Sequence, residues 1–433
     1  MQQQQVAQQR QAVRGTPSQL SEGTGATVLA MVALLAIALR IGAALMLDQP
    51  LQSDGLAYFT MAQGLADRGE LLDTHGQHAF YSVGYPLVLT PFFALLGSSL
   101  AVGLAVNLLL AAISVALIYR LTLKLSGDSL AGLIAAGAYA VWLPGIWNAT
   151  VLARENLATP LLLGLALCTV AIARCERPSG AALLAGLLWG ASLLTGGSAL
   201  LTCAGPGVAL LMLWRRAASL TPALQAGLCF VAGAALVVSP WLYSTDRMVG
   251  RPVLTTNGAF NLYLGNNPAA TGRFVSIADT PLRENWEEMR VRLGEVGNAE
   301  RLQAEALRWV GENPAKAGGL AALKLWYFWQ PNVPDAQDFA ASKAIAAFRV
   351  VEVVQYCLIL ILALLAFRSR RVRGDGKWIL AAVIGGFWLI HAAFYVITRY
   401  RDPVMPLLIA MAAVSLAGWL QRMSGRKAPL HAA

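Results

Sequence analysis

The chain has 433 residues, of which 57% are hydrophobic and only 13% charged, roughly half the charge of an average soluble domain. That balance excludes a water-soluble globular protein and predicts an all-α polytopic membrane protein. The net charge of +10 does not point to nucleic acid, because its Lys and Arg residues are confined to alternate segments between apolar runs.

Residues 1–24, rich in Gln and Ser, read as a disordered cytoplasmic tail. The first apolar run is too long for a cleavable signal and has no cleavage site after it. Ten runs approach the roughly 20 residues that a hydrocarbon layer requires: 27–47, 98–120, 128–146, 150–173, 180–196, 199–214, 222–243, 343–367, 377–397 and 403–421. Each must be helical, since unpaired backbone cannot face lipid. The basic residues cluster at Arg10 and Arg14, Arg120 and Lys124, Arg174 and Arg177, Arg215 and Arg216, Arg368 to Lys377, and Arg422 to Lys427. All fall on one side of a ten-span arrangement, and the positive-inside rule makes that side, with both termini, cytoplasmic. The chain therefore divides into a seven-span module over 25–243, an outer segment over 244–342, three further spans over 343–421 and a tail over 422–433.

The first outer loop, 48–97, is not simple coil. Over 55–68, Leu56, Phe59, Ala62 and Ala66 share one helical face, which suits a helix lying in the interface. Residues 85–97 are apolar but short, suiting a second interfacial or re-entrant helix. In the outer segment, 251–268 reads as turn-rich with short β-prone runs. Residues 283–311 are charged and helical in pattern. The run from Leu320 to Trp329, ending in Trp-Tyr-Phe-Trp, suits a return to the membrane surface. The five cysteines lie in or beside spans, so no disulfide framework is implied.

Five stretches carry further information. Gln52-Ser53-Asp54-Gly55 places a carboxylate just outside the first span, followed by Gly84-Tyr85-Pro86 at the next apolar run. Arg154-Glu155-Asn156 opens the fourth span, Gly265-Asn266-Asn267-Pro268 lies in the outer segment, and Thr398-Arg399-Tyr400-Arg401-Asp402-Pro403 precedes the last span. In this order and spacing they resemble the GT-C glycosyltransferases, within them the protein-mannosyltransferase and aminoarabinose-transferase branch (family 39-like). The resemblance covers about 27–421. It implies Asp54 as catalytic base, Arg399, Arg401, Arg154 and Lys324 as donor-phosphate ligands, and Tyr58, Tyr85, Glu155, Asn266 and Tyr400 as pocket residues. At Thr195-Gly196-Gly197 it departs, since relatives carry Thr-Arg-Pro there.

The chemistry accounts for these residue types. A carboxylate within hydrogen-bond reach takes the proton of a weakly nucleophilic hydroxyl, and arginine stabilises a leaving phosphate bidentately. The implied function is an inverting transfer from a polyprenyl-phosphate sugar to a lipid, glycan or protein acceptor, at the outer face of a bacterial inner membrane. The alternatives are a secondary transporter or lipid flippase, and a non-catalytic assembly subunit. Competing local readings accompany each residue. Ser53 or Asp54 could cap a helix, Arg399 and Arg401 could snorkel, and Arg154 and Glu155 could pair locally. Lys324 could be interfacial only. Arg40, inside the first span, calls for a function or a partner. Asp73, His75 and His78 raise a divalent metal, which is not favoured over solvated side chains, and His391 reads as a bundle histidine.

Overall fold

A computed structural model describes residues 22–47, 49–283, 285–334, 338 and 342–425. The proposed N-terminal tail lies outside these residues except for 22–24, which begin a helix, and the C-terminal tail lies outside them beyond Gly425.

Among the described residues, eight helical stretches are long and apolar enough to cross a membrane. They comprise α1 (Glu22–Leu47), α4 (Leu100–Ser126), α7 (Glu155–Ala173), α8 (Pro178–Thr195), α9 (Ala204–Ala217, preceded by a 3-10 turn at Gly197–Cys203), α10 (Thr221–Val249), α14 (Lys343–Arg368) and α16 (Met405–Met423, preceded by a 3-10 turn at Thr398–Val404). The third and ninth predicted spans are instead each built from two shorter pieces. The third is α5 (Ser129–Ala140) followed by the six-residue α6 (Leu143–Asn148). The ninth is α15 (Gly374–Leu389) followed by a 3-10 turn at Ile390–Ala392. Polar contacts fix which end each piece reaches. At the basic end Arg174 pairs with Asp375 at 2.9 Å and Gln421 donates to Asp128 at 2.8 Å. At the opposite end Asn148 donates to Asp402 at 2.9 Å and Arg399 pairs with Asp54 at 2.9 Å.

The break between α5 and α6 exposes backbone groups inside the bundle, and unpaired ones would be costly there. Arg40, 1% exposed, meets that need: its guanidinium donates to Ala140 O at 3.2 Å and Tyr139 O at 3.4 Å, the last turn of α5. Gln355 completes the repair, accepting from Leu143 N at 3.1 Å and donating to Val141 O at 3.0 Å. Arg40 is thus a paired intramembrane charge. Close packing depends on small residues as well. A Cβ at Gly186 or Gly233 would fall 2.0 Å and 2.3 Å from carbonyl oxygens of the facing helix, so α8 and α10 approach backbone to backbone as small-residue interfaces in membranes do.

Two shorter helices form the first outer loop, α2 (Ser53–Arg68) and α3 (Gly84–Leu96). The buried face of α2 is Ala57, Tyr58, Met61 and Ala62, and Gly69, with φ 70, closes it in the left-handed cap that glycine adopts without strain. In the outer segment α11 (Asn257–Gly265), α12 (Asn285–Glu312, kinked at Gly294) and α13 (Pro314–Trp329) follow. The charged helix and the amphipathic return agree with the sequence pattern. The β-prone reading of 251–268 does not: Tyr263 and Leu264 bury against Trp286 and Leu302 of α12, and that packing makes 257–265 a helix. Among the described residues the sole β-type pairing there is an isolated bridge between Arg273 and Val396.

Candidate active site at the outer end of the bundle

Asp54 occupies the first turn of α2, but it does not cap it. The N-cap is Gln52, no side chain serves as cap, and Ser53 adopts φ +51, a left-handed conformation uncommon for serine and often found at functional sites. The Asp54 carboxylate instead meets Arg399, Nη2 to Oδ2 at 2.9 Å, and Arg399 Nε lies 3.3 Å from Glu155 Oε1. Glu155 is buried at 5% side-chain exposure, whereas Asp54 is 42% exposed. One guanidinium therefore bridges a buried anchor and an accessible carboxylate, drawn from the first outer loop, the start of α7 and the turn before α16.

Two cavities flank this bridge. A polar, aromatic-rich cavity of 250 Å³ holds Asp54 with Tyr58, Tyr81, Phe260, Trp286 and Tyr395 on its walls. An apolar groove of 540 Å³, lined by Leu47, Pro144, Trp147, Ile345 and Phe348, reaches Arg399 from the side of α1, α6 and α14. Burial pushes the Tyr58 hydroxyl well above its usual range, and it pushes Tyr81 up to about 12 with help from the Asp54 charge. Both rings are thus neutral hydrogen-bonding walls at physiological pH.

Arg154, half-buried at the N-cap of α7, borders the 250 Å³ cavity and two smaller ones of 30 and 60 Å³. Burial opposes its charge, but the Glu155 and Asp54 carboxylates beside it favour it, and Arg154 is protonated. Tyr400 lines the same three cavities, with its ring 5.9 Å from that of Tyr395. Asp54, Tyr58, Arg154, Glu155, Arg399 and Tyr400 therefore come together.

The remaining sequence candidates lie elsewhere. Arg401 is buried, donates to the Gln330 carbonyl and stacks 4.0 Å above the Tyr356 ring. Lys324 is fully buried and donates to Asn266 Oδ1 at 3.1 Å and Ala392 O at 3.3 Å, while Asn266 donates to Ala393 O at 2.6 Å. The two residues staple α13 to the turn after α11 and to the 3-10 turn after α15. Tyr85 is buried and donates to Asn107 at 2.6 Å. Asp73 accepts from the backbone of His75 and Gln77 at 2.7 and 2.9 Å, and His75 lines the 250 Å³ cavity.

Sequence reasoning missed Glu295. Its carboxylate accepts from His78 N at 2.9 Å, Ala79 N at 2.8 Å and Thr256 Oγ1 at 3.0 Å, and so clamps the first outer loop to the outer segment above the cavity. A lone Glu within a charged helix gives no local signal of this. The aromatic walls Phe260, Trp286 and Tyr395 were missed too, because three separate segments supply them.

No protein-family model matches the sequence, and no curated protein matches it. Solved structures do. The oligosaccharyltransferase AglB of Archaeoglobus fulgidus, with an inhibitory peptide and a dolichol-phosphate, superposes at TM-score 0.54 with 13% identity, covering 94% of this chain and 52% of AglB. The same enzyme tethered to an acceptor peptide gives TM-score 0.55 with 14% identity over 93% and 50%. The chain thus spans about half the length of these proteins. ArnT of Cupriavidus metallidurans bound to undecaprenyl phosphate gives TM-score 0.45 with 12% identity over 94% and 80%. The chain has the fold of the GT-C glycosyltransferases.

Proposed function

We propose that the chain is an inverting glycosyltransferase that takes a sugar from a polyprenyl-phosphate donor at the outer face of a bacterial cytoplasmic membrane. The observation that carries this reading is the Arg399–Asp54 pair, set between the 540 Å³ apolar groove that Arg399 lines and the 250 Å³ polar, aromatic cavity that Asp54 lines. The groove suits a polyprenyl tail and the cavity a sugar ring, since aromatic faces present broad apolar surface beside hydrogen-bonding groups. The phosphate then lies at the bridge, within reach of Arg399 and Arg154. The dolichol-phosphate in the AglB structure supports a lipid-phosphate donor for this fold.

In the reaction the acceptor oxygen attacks the anomeric carbon while the bond from that carbon to the phosphate oxygen breaks. Polyprenyl phosphate leaves carrying both electrons of the broken bond, its charge met by the two guanidinium groups. The acceptor's hydroxyl proton passes to Asp54. The acceptor class, whether lipid, glycan or protein, is left open by this arrangement.

The test is release of undecaprenyl phosphate from a panel of undecaprenyl-phosphate hexoses and pentoses by purified wild-type and Asp54→Asn proteins. Asparagine preserves shape and the hydrogen bond from Arg399 but accepts no proton, so a loss of ~10²-fold or more is expected at unchanged melting temperature. Turnover of the variant within a few-fold of wild type would remove Asp54 as the base.

A further inference from the structure

Gly196 ends α8 with φ 175 and ψ 139, an extended conformation open to any residue. Its backbone gives no reason for glycine, but its surroundings do. A Cβ at 196 would lie 3.3 Å from Arg154 Nη1, 3.6 Å from Cζ and 3.8 Å from Cδ. All three nearest atoms belong to that one side chain. The next residue, Gly197, has nothing within 4 Å of the same construction, so the tight approach is specific to 196. Among the described residues no hydrogen bond or ion pair holds the Arg154 guanidinium, so its seat is set by packing together with the field of Glu155 and Asp54.

We propose that Gly196 is a positioning residue for anion recognition: the missing side chain at the end of α8 seats the Arg154 guanidinium at the wall it shares with Tyr400 and Ser198, facing the donor phosphate. This rests on the donor reading above and extends it to a second segment of the chain. Arg154 is anchored to the bundle only through the N-cap of α7, and its long side chain has several rotamers available. The floor offered by Gly196 selects the one that lines the cavities. A branched side chain at 196 displaces the guanidinium from that position, and charge-assisted contacts to phosphate are lost with such a displacement.

The proposal is tested by binding of undecaprenyl phosphate to the full-length protein in detergent, comparing Gly196→Val, Arg154→Ala and the double variant, each beside a thermal melt. Each single change is expected to weaken binding about 10-fold or more. The double variant is expected to bind no worse than Arg154→Ala, because the valine acts through the guanidinium it displaces. Wild-type affinity in Gly196→Val, or an equal loss from the valine when Arg154 is already absent, overturns the positioning role. Should Gly196→Val melt early, Gly196→Ala is read instead, with a loss of about 2- to 3-fold that disappears in the Arg154→Ala background. Arg154→Ala/Gly196→Arg is expected to recover part of the lost affinity, and no recovery counts against the shared position. Unchanged affinity in Arg154→Ala alone would instead remove Arg154 from the donor site, a different failure from loss of the Gly196 coupling.

Discussion

Arg399 and Arg401 are two positions apart, and their surroundings give them different work. Both sit in the 3-10 turn Thr398–Val404, which directs Arg399 to Asp54 and Glu155 and Arg401 back to Gln330 and Tyr356. Arg401→Ala should therefore behave as a stability variant. It strands the Gln330 carbonyl and removes a desolvated cation–π contact, a cost of about 2–4 kcal/mol, read as an early melt. Arg399→Ala also leaves the buried Glu155 carboxylate without this partner and should melt early too, but it alone should lose affinity for undecaprenyl phosphate, by about 10-fold or more, as expected for a lost charge-assisted contact. A normal melt for Arg401→Ala together with weakened lipid binding would reverse the assignment. Sequence and structure agree in placing both arginines in the segment that leads into the last span. The sequence leaves their directions open, because side-chain direction in a short 3-10 turn depends on what packs against it.

At the scale of elements, the staple made by Lys324 joins α13, the turn after α11 and the turn after α15. Burial lowers the Lys324 ammonium from 10.5 to about 8. The folded state then gives up this proton near pH 8 while the unfolded chain holds it to about 10.5, so between those values the unfolded state binds more protons and stability rises with pH. Lys324→Met leaves Asn266 Oδ1 and the Ala392 carbonyl without this donor and should cost about 1–3 kcal/mol at pH 7. The wild-type advantage over the variant should widen between pH 7 and pH 9.5. A constant gap over that range would show the ammonium to be solvated, and a narrowing one would show it to be held charged by a partner. Lys324 and Asn266 are 58 residues apart in sequence, and their contact is tertiary and has no local pattern. The same limit produced the β-prone reading of 257–265, where the aromatic-rich run is helical because α12 and its Trp286 cover one face.

For the whole molecule, hydrophobic run length and charge carried most of the architecture, since a bilayer restricts spanning backbone to helices. They could not show that two of the predicted spans are broken, because Arg40 and Gln355 repair the α5–α6 gap from other helices. The ends of the bundle are chemically distinct. Arg174, Arg215, Arg216, Arg368 and Arg422 gather at one, and the Asp54–Arg399 site with the outer segment stands at the other. Positive-inside charge predicts that the basic end faces the cytoplasm and that the site opens outward. Ala278 in the outer segment and Gly374 at the start of α15 are both exposed, so cysteines there test this orientation in a background without the five native thiols. Ala278→Cys should react with a membrane-impermeant maleimide in spheroplasts, and Gly374→Cys only after the membrane is opened. The opposite pattern would invert the protein. Reaction of both from outside would mean that α14, the one predicted span between the two positions, does not complete its crossing.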